Sequence, residues 1–201
     1  MAFWDTVLGR TKQVKPDLDR LFGLPSAAIT LEAAAGFVPT GDAAVCFSST
    51  EGEAFQNVVD DVRALLDARL PHPDSLGDDA PEAPPVDLRR DGYGYSWLVL
   101  RRPPDDVAAL VNDLHAVNAG LEETGFGPQL LCSLIAFRDA RDRALALVYL
   151  YKRGTFYPFA PLPGDKRDNA LELQVKAALA DDLRIETDLS RWFPVWRAPG
   201  M

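Results

Sequence analysis

The chain predicts an α+β fold: one domain over residues 1–201, with an antiparallel sheet of five to six strands, helices packed on it, and units of the ββα type. Three observations carry that prediction. Apolar residues recur at three- and four-residue steps in three segments, the mark of helices that bury one stripe. Two neighbouring runs, 129–138 and 143–152, are apolar at almost every position and meet at the charged turn 139–142, as paired central strands do. A length of 201 residues, 47% of them hydrophobic, suffices to close one substantial core.

In chain order, residues 16–22 predict a short helix that Gly23 ends, and strands at 28–34 and 43–49 flank a turn at Pro39, Thr40 and Gly41. From 51 to 70, Phe55, Val58, Val59, Val62, Leu65 and Leu66 share one helical face. The next stretch, PHPDSLGDDAPEAPP at 71–85, holds five prolines and four acidic residues without Lys or Arg, so a flexible acidic insertion is expected there. A strand at 93–102 alternates Tyr95, Trp97 and Val99. The helix expected at 104–123 carries Val107, Leu110, Val111, Leu114, Val117 and Leu121, with Pro104 in its first turn, Asp105 and Asp106 at its positive end, and Gly125 as its stop. Asp168 caps a last helix that reaches residue 180 and turns Leu171, Val175, Ala178 and Leu179 inward. Strands apolar on both sides call for cover on both faces of the sheet, or for a central position in it.

Composition excludes several functions. A formal charge of −9 opposes binding to phosphate backbones, so nucleic acid is not an expected partner. No run approaches the roughly 20 apolar residues that span a bilayer, and MAFWDTVLGRTK lacks the pattern of a signal peptide, which predicts a cytoplasmic protein. Cys46 and Cys132 sit in apolar runs and read as buried structural thiols in preference to redox or nucleophilic groups. His115, on a helical segment beside apolar neighbours, reads as a boundary histidine in preference to an acid–base group. There is no G-x-S-x-G elbow, H-E-x-x-H or P-loop, and the glycines of DGYGY and TGFGP read as turns. No catalytic residue, metal site or cofactor is assigned.

Candidate binding residues lie elsewhere. In YLYKRGTFYPFAP, Lys152, Arg153, Phe156, Tyr157 and Phe159 read as an exposed aromatic and basic partner surface; the competing reading is an enzyme holding an anionic small molecule or peptide at the Lys152, Arg153 and Tyr157 turn. Trp192 and Trp196, in RWFPVWR, suit an interface or a tail folded back over the sheet, and both readings stand. Phe3, Trp4, Val7 and Leu8, followed by Arg10, Lys12 and Lys15, suit weak peripheral contact with an anionic membrane, though a helix capping the domain's own core uses the same stripe.

The runs LPSAAITLEAAAGFVPTG, DGYGYSWLVLRRPPDD, LHAVNAGLEETGFGPQLLCSLIAFRD, LALVYLYKRGTFYPFAP and RDNALELQVKAALADDLRIETDLSRWFPVW resemble the PspA-associated protein PspAB family of actinobacteria. The resemblance covers nearly everything outside residues 71–85. It implies a small cytoplasmic accessory of the phage-shock, or envelope-stress, system that acts without catalysis through protein–protein contact. The partner it implies is a PspA-type membrane-remodelling coiled-coil protein, with an HtpX-type membrane protease as the other candidate. Membrane association would then run through those partners.

Overall fold

A computed structural model of the chain describes residues 16–48, 57, 59–61, 64 and 86–201. The Phe3, Trp4, Val7 and Leu8 stripe, most of the helix expected at 51–70 and the insertion at 71–85 lie outside the described residues. Within 51–70 the described residues are helical, and Val59 is buried.

The chain enters through a 3-10 helix, Leu18–Gly23, that runs directly into α1, Leu24–Ala35. This corrects the strand expected at 28–34. The five alanines of α1 favour helix, Pro25 sits in the first turn, and Leu24, Ala27, Ala28 and Leu31 recur at helical spacing on the buried side. Gly36, at φ 71°, takes the left-handed position that ends the helix. β1, Phe37–Ser48, follows at once.

Pro39, Thr40 and Gly41 lie inside β1 and do not form the expected hairpin turn. They make an irregularity: Pro39 faces Phe137 and Ala43 faces Ile135, so four steps along β1 match two on its neighbour. Gly41 is required at this place. Its φ is 86°, and a Cβ there would lie 2.1 Å from the Arg102 carbonyl oxygen. The strand expected between 28 and 34 is replaced by a helix, so the first unit departs from ββα.

β2, Val86–Arg90, and β3, Tyr95–Arg101, form a hairpin that leads into α2, Val107–Glu123. Pro104 precedes this helix and is not part of its first turn. Asp106 is the N-cap, and its Oδ1 accepts from Ala109 N at 3.1 Å. Next come β4, Leu130–Asp139, β5, Ala144–Leu150, and β6, Thr155–Phe159, and then α3, Asn169–Ala178, capped by Asp168 as the sequence predicts.

The six strands form one antiparallel sheet in the order β2-β3-β1-β4-β5-β6, so the fold is α+β as expected. The alternation of strand side chains divides the core in two. On one face Val45, Phe47, Leu98, Leu100, Ile135, Phe137, Leu145, Leu147 and Tyr149 pack beneath α1, α2 and α3. On the other, Ala44, Cys46, Trp97, Val99, Cys132, Leu134, Ala146, Val148, Tyr157 and Phe159 pack beneath Trp192, Val195 and Ala198 of the C-terminal tail. Both faces are covered. Helices cover one and an irregular segment covers the other.

Candidate binding groove

The segment expected to expose Phe156, Tyr157 and Phe159 is β6. All three side chains are 1% exposed or less, which corrects the reading of an exposed aromatic turn. The alternation that drives them inward is hidden in sequence because Phe156 faces the helices while Tyr157 and Phe159 face the tail. Trp192 is buried as well, stacked on Tyr157 at 6.0 Å between ring centroids. Trp196 is half-buried, edge-on to Phe159 at 4.9 Å. Of the two readings of these tryptophans, the tail folded back over the sheet describes where they lie.

Lys152 and Arg153 are exposed, but their charged ends have partners. Lys152 Nζ donates to the Pro128 carbonyl at 2.9 Å. Arg153 makes a two-pronged pair with Glu186: its Nε donates to Oε2 and its Nη2 to Oε1, the latter at 3.1 Å. The Glu186 carboxylate is buried and also accepts from Thr155 Oγ1 at 2.9 Å and Asp188 N at 3.1 Å. The Arg153 hydrogen bond, against the opposing effect of burial, holds its carboxyl down at about 2. Tyr157 is buried under Trp192, and its hydroxyl donates to the Phe193 carbonyl at 2.8 Å. Lys152, Arg153 and Tyr157 therefore do not converge on a common point, as the anion-binding reading requires.

The contacts of Glu186 and Tyr157 tie down the tail. Phe156 N donates to Arg184 O at 2.9 Å and Glu186 N donates to Phe156 O at 2.7 Å, so residues 184–186 pair with the outer edge of β6. Trp192 Nε1 donates to Glu186 O at 3.1 Å. Arg167 binds Glu172 through Nε at 2.9 Å, donates through Nη1 to the Trp192 carbonyl, and lies over the Phe159 ring at 5.1 Å. A largely irregular segment is thereby supplied with partners for its polar groups.

The tail does not cover the whole face. Between it and the β2–β3 end of the sheet lies a groove of about 450 Å³, inside the range of small ligand sites. Its floor is Cys46, Cys132 and Trp97, its tail-side wall is Phe193 to Trp196, and Tyr93 and Tyr95 form the opposite rim. The rim is open: Tyr93 is 61% exposed, Tyr95 43% and Phe193 58%. Asp91 shapes this rim. Its Oδ1 accepts from Tyr93 N and Tyr95 N, each at 2.9 Å, and its Oδ2 accepts from Trp97 Nε1 at 2.9 Å.

Cys46 and Cys132 face each other in register across β1 and β4. The hydrogen bond to Cys132 is the first cause pushing the Cys46 thiol far up, and burial and the negative charge of Asp91 add to it. Burial likewise pushes the Tyr157 hydroxyl well above its usual value. The raised Cys46 thiol stays protonated, and the two buried cysteines give the groove an apolar floor. Among the described residues, no three of His, Cys, Asp and Glu gather as a metal-ligand set. His115 stacks on Phe22 at 4.9 Å, at the edge of the helix layer and remote in structure from this groove.

A family model described as PspA associated protein B matches residues 1–200. The chain belongs to that family. The family's name ties it to PspA, in agreement with the resemblance drawn from the sequence. No curated protein and no solved structure matches the chain. No helix of the described residues is long and apolar enough to cross a membrane.

Sequence reasoning found Trp196 but missed Tyr93, Tyr95, Asp91 and Phe193 as groove residues. The signal was present in DGYGYSW, where an acidic turn residue is followed by aromatics at every second position. Such alternation in a strand places Tyr95 and Trp97 on one face, and the turn continues that face to Tyr93.

Proposed function

We propose that the protein is a non-enzymatic adaptor of the PspA envelope-stress response and that the groove beside the C-terminal tail is where it docks its partner. The carrying observation is an apolar groove whose rim exposes Tyr93, Tyr95 and Phe193 on an otherwise covered sheet face. Exposed aromatic residues around a desolvated floor are the composition of an interface centre. Membership of a PspA-associated family supports a PspA-type coiled-coil protein as that partner. An HtpX-type membrane protease is the second partner to try. Trp196 belongs to this surface, Arg153 and Trp192 act by fixing the tail that forms its wall, and Lys152 is tied to the Pro128 carbonyl at the turn before β4.

The test is the affinity of a purified PspA-type protein for the wild type and for the Tyr95→Ser/Phe193→Ser double variant, with near-ultraviolet circular dichroism as the check of packing. Loss of two rim aromatics should weaken binding by at least about tenfold with the fold intact. Unchanged affinity in a folded double variant would remove the groove from the interface.

A further inference from the structure

The chemistry lining the groove specifies more than an apolar occupant. Among the described residues that line it, Asp91 alone carries a formal charge, and none is Lys, Arg or His. Two donors that an anion would need are occupied within the protein, Trp97 Nε1 by Asp91 and Tyr157 Oη by Phe193. What remains for a ligand is a set of aromatic faces, whose quadrupoles favour positive charge, beside a carboxylate. Three hydrogen bonds occupy three of the roughly four acceptor positions of a carboxylate, which leaves Asp91 able to accept one more. Its negative field extends to the groove floor, where it contributes to the raised Cys46 thiol.

We infer that the groove receives a basic side chain, Lys or Arg flanked by apolar residues, presented by a partner polypeptide and seated between Tyr95, Trp97 and Trp196 beside Asp91. This rests on the reading of the groove as the docking surface and adds the chemistry of what enters it. The net charge of −9 acts in the same direction, because it favours encounter with a basic segment and opposes approach to an anionic bilayer. Arg suits the site better than Lys, since its planar guanidinium can stack on an aromatic face while donating to the carboxylate.

The test uses the full chain and three blocked tripeptide amides: leucyl-arginyl-leucine, the same peptide with neutral citrulline for arginine, and the same with glutamate. Citrulline keeps the shape of arginine and removes the charge. Titrations are followed by the indole N–H signals of Trp97 and Trp196. The arginine peptide should bind about tenfold or more tighter than the citrulline peptide and shift both indoles. Asp91→Asn should erase most of that ratio. Because Asp91 also holds the β2–β3 turn, Tyr95→Leu provides a second variant that leaves the carboxylate in place, and it should reduce the ratio while the fold stays native.

Equal binding of the arginine and citrulline peptides, or preference for glutamate, would overturn the inference. So would the absence of any indole shift with all three peptides at millimolar concentration. Binding to phosphatidylcholine vesicles in place of peptides would overturn it in favour of a lipid ammonium group. None of these results touches the proposed docking function, which stands or falls on the affinity of the PspA-type protein for the rim double variant. An apolar interface would keep that effect and lose the charge preference.

Discussion

The two faces of the sheet are sealed by different means. On the helix side, α1, α2 and α3 each present an apolar stripe, and their backbones satisfy their own hydrogen bonds, so apolar contact does most of the seating. On the tail side, a largely irregular segment, broken by one 3-10 turn at Leu189–Arg191, needs Glu186, Arg153, Arg167, Trp192 and Tyr157 as polar anchors, and it leaves a groove. The polar groups of the helix face are few and paired inward: Asn118 Nδ2 donates to Ser133 Oγ at 2.9 Å, and Arg102 binds Asp113 at 2.6 Å. The lesson is that an incomplete seal made by an irregular segment leaves an apolar, aromatic-rimmed groove, whereas the hollow on the helix layer around Phe22, Arg102, Asp113 and His115 is lined by polar and charged groups as much as by apolar ones.

The largest effect should follow from deleting residues 184–201. This removes the partner of β6 and uncovers Val148, Tyr157 and Phe159, and the account predicts loss of cooperative thermal unfolding together with binding of a hydrophobic dye. A truncated chain that still melts cooperatively within about 5 °C of the wild type would show the tail to be a surface ornament.

Phe137→Ala and Phe159→Ala compare the faces directly, since both rings are fully buried, one under the helices and one under the tail. Each should cost about 3–5 kcal/mol by urea unfolding. Phe137 should lie toward the upper end, because rigid helices cannot settle into the space. Phe159 should lie toward the lower end, because half-buried Trp196 packs edge-on against it and can move in. The reverse order would mean that the tail is the stiffer cover.

Arg153→Ala should have a smaller effect with a distinctive pH dependence. It leaves the buried Glu186 carboxylate without its cation. Glu186 titrates at about 2 in the folded protein against 4.5 for an ordinary glutamate, so its contribution is fully present above that ordinary value and disappears as pH falls toward 2. Urea midpoints of the wild type should decline across that window and those of Arg153→Ala should decline less. Parallel declines would show that Arg153 does not hold the carboxyl down. Smallest of all, Tyr95→Ser should change stability by no more than about 0.5 kcal/mol, as an open rim position requires, and a larger loss would return Tyr95 to the core.

β3, β4, β5, part of β1 and the helices α2 and α3 were legible because their burial follows a simple period: Val107 to Leu121 in α2 and the paired apolar runs of β4 and β5 announce themselves, whereas β2, a short strand of mostly charged residues, does not. α1 was not legible as a helix, since Ala28 to Ala34 contains little apolar contrast and its helical tendency comes from alanine, not pattern. β6 was read as surface because Pro158 and Gly154 signal a turn, whereas Pro158 sits in a strand paired with β5 on one side and met by residues 184–186 on the other. The groove depended on tail residues about a hundred positions from Tyr93 and Tyr95 in sequence, and no local pattern can reveal which part of a sheet face a distant irregular segment leaves open.

The central claim concerns which face meets the partner, and the indole N–H signals of the chain labelled with nitrogen-15 read it directly when a PspA-type protein is added. Trp97 and Trp196 line the groove, while Trp192 is buried beside it under the tail. The account predicts large shifts or broadening of Trp97 and Trp196 and a weaker response of Trp192. Binding that leaves the Trp97 and Trp196 signals unmoved, and instead perturbs backbone amides around Phe22, Ile29 and Leu173 on the helix layer, would contradict it.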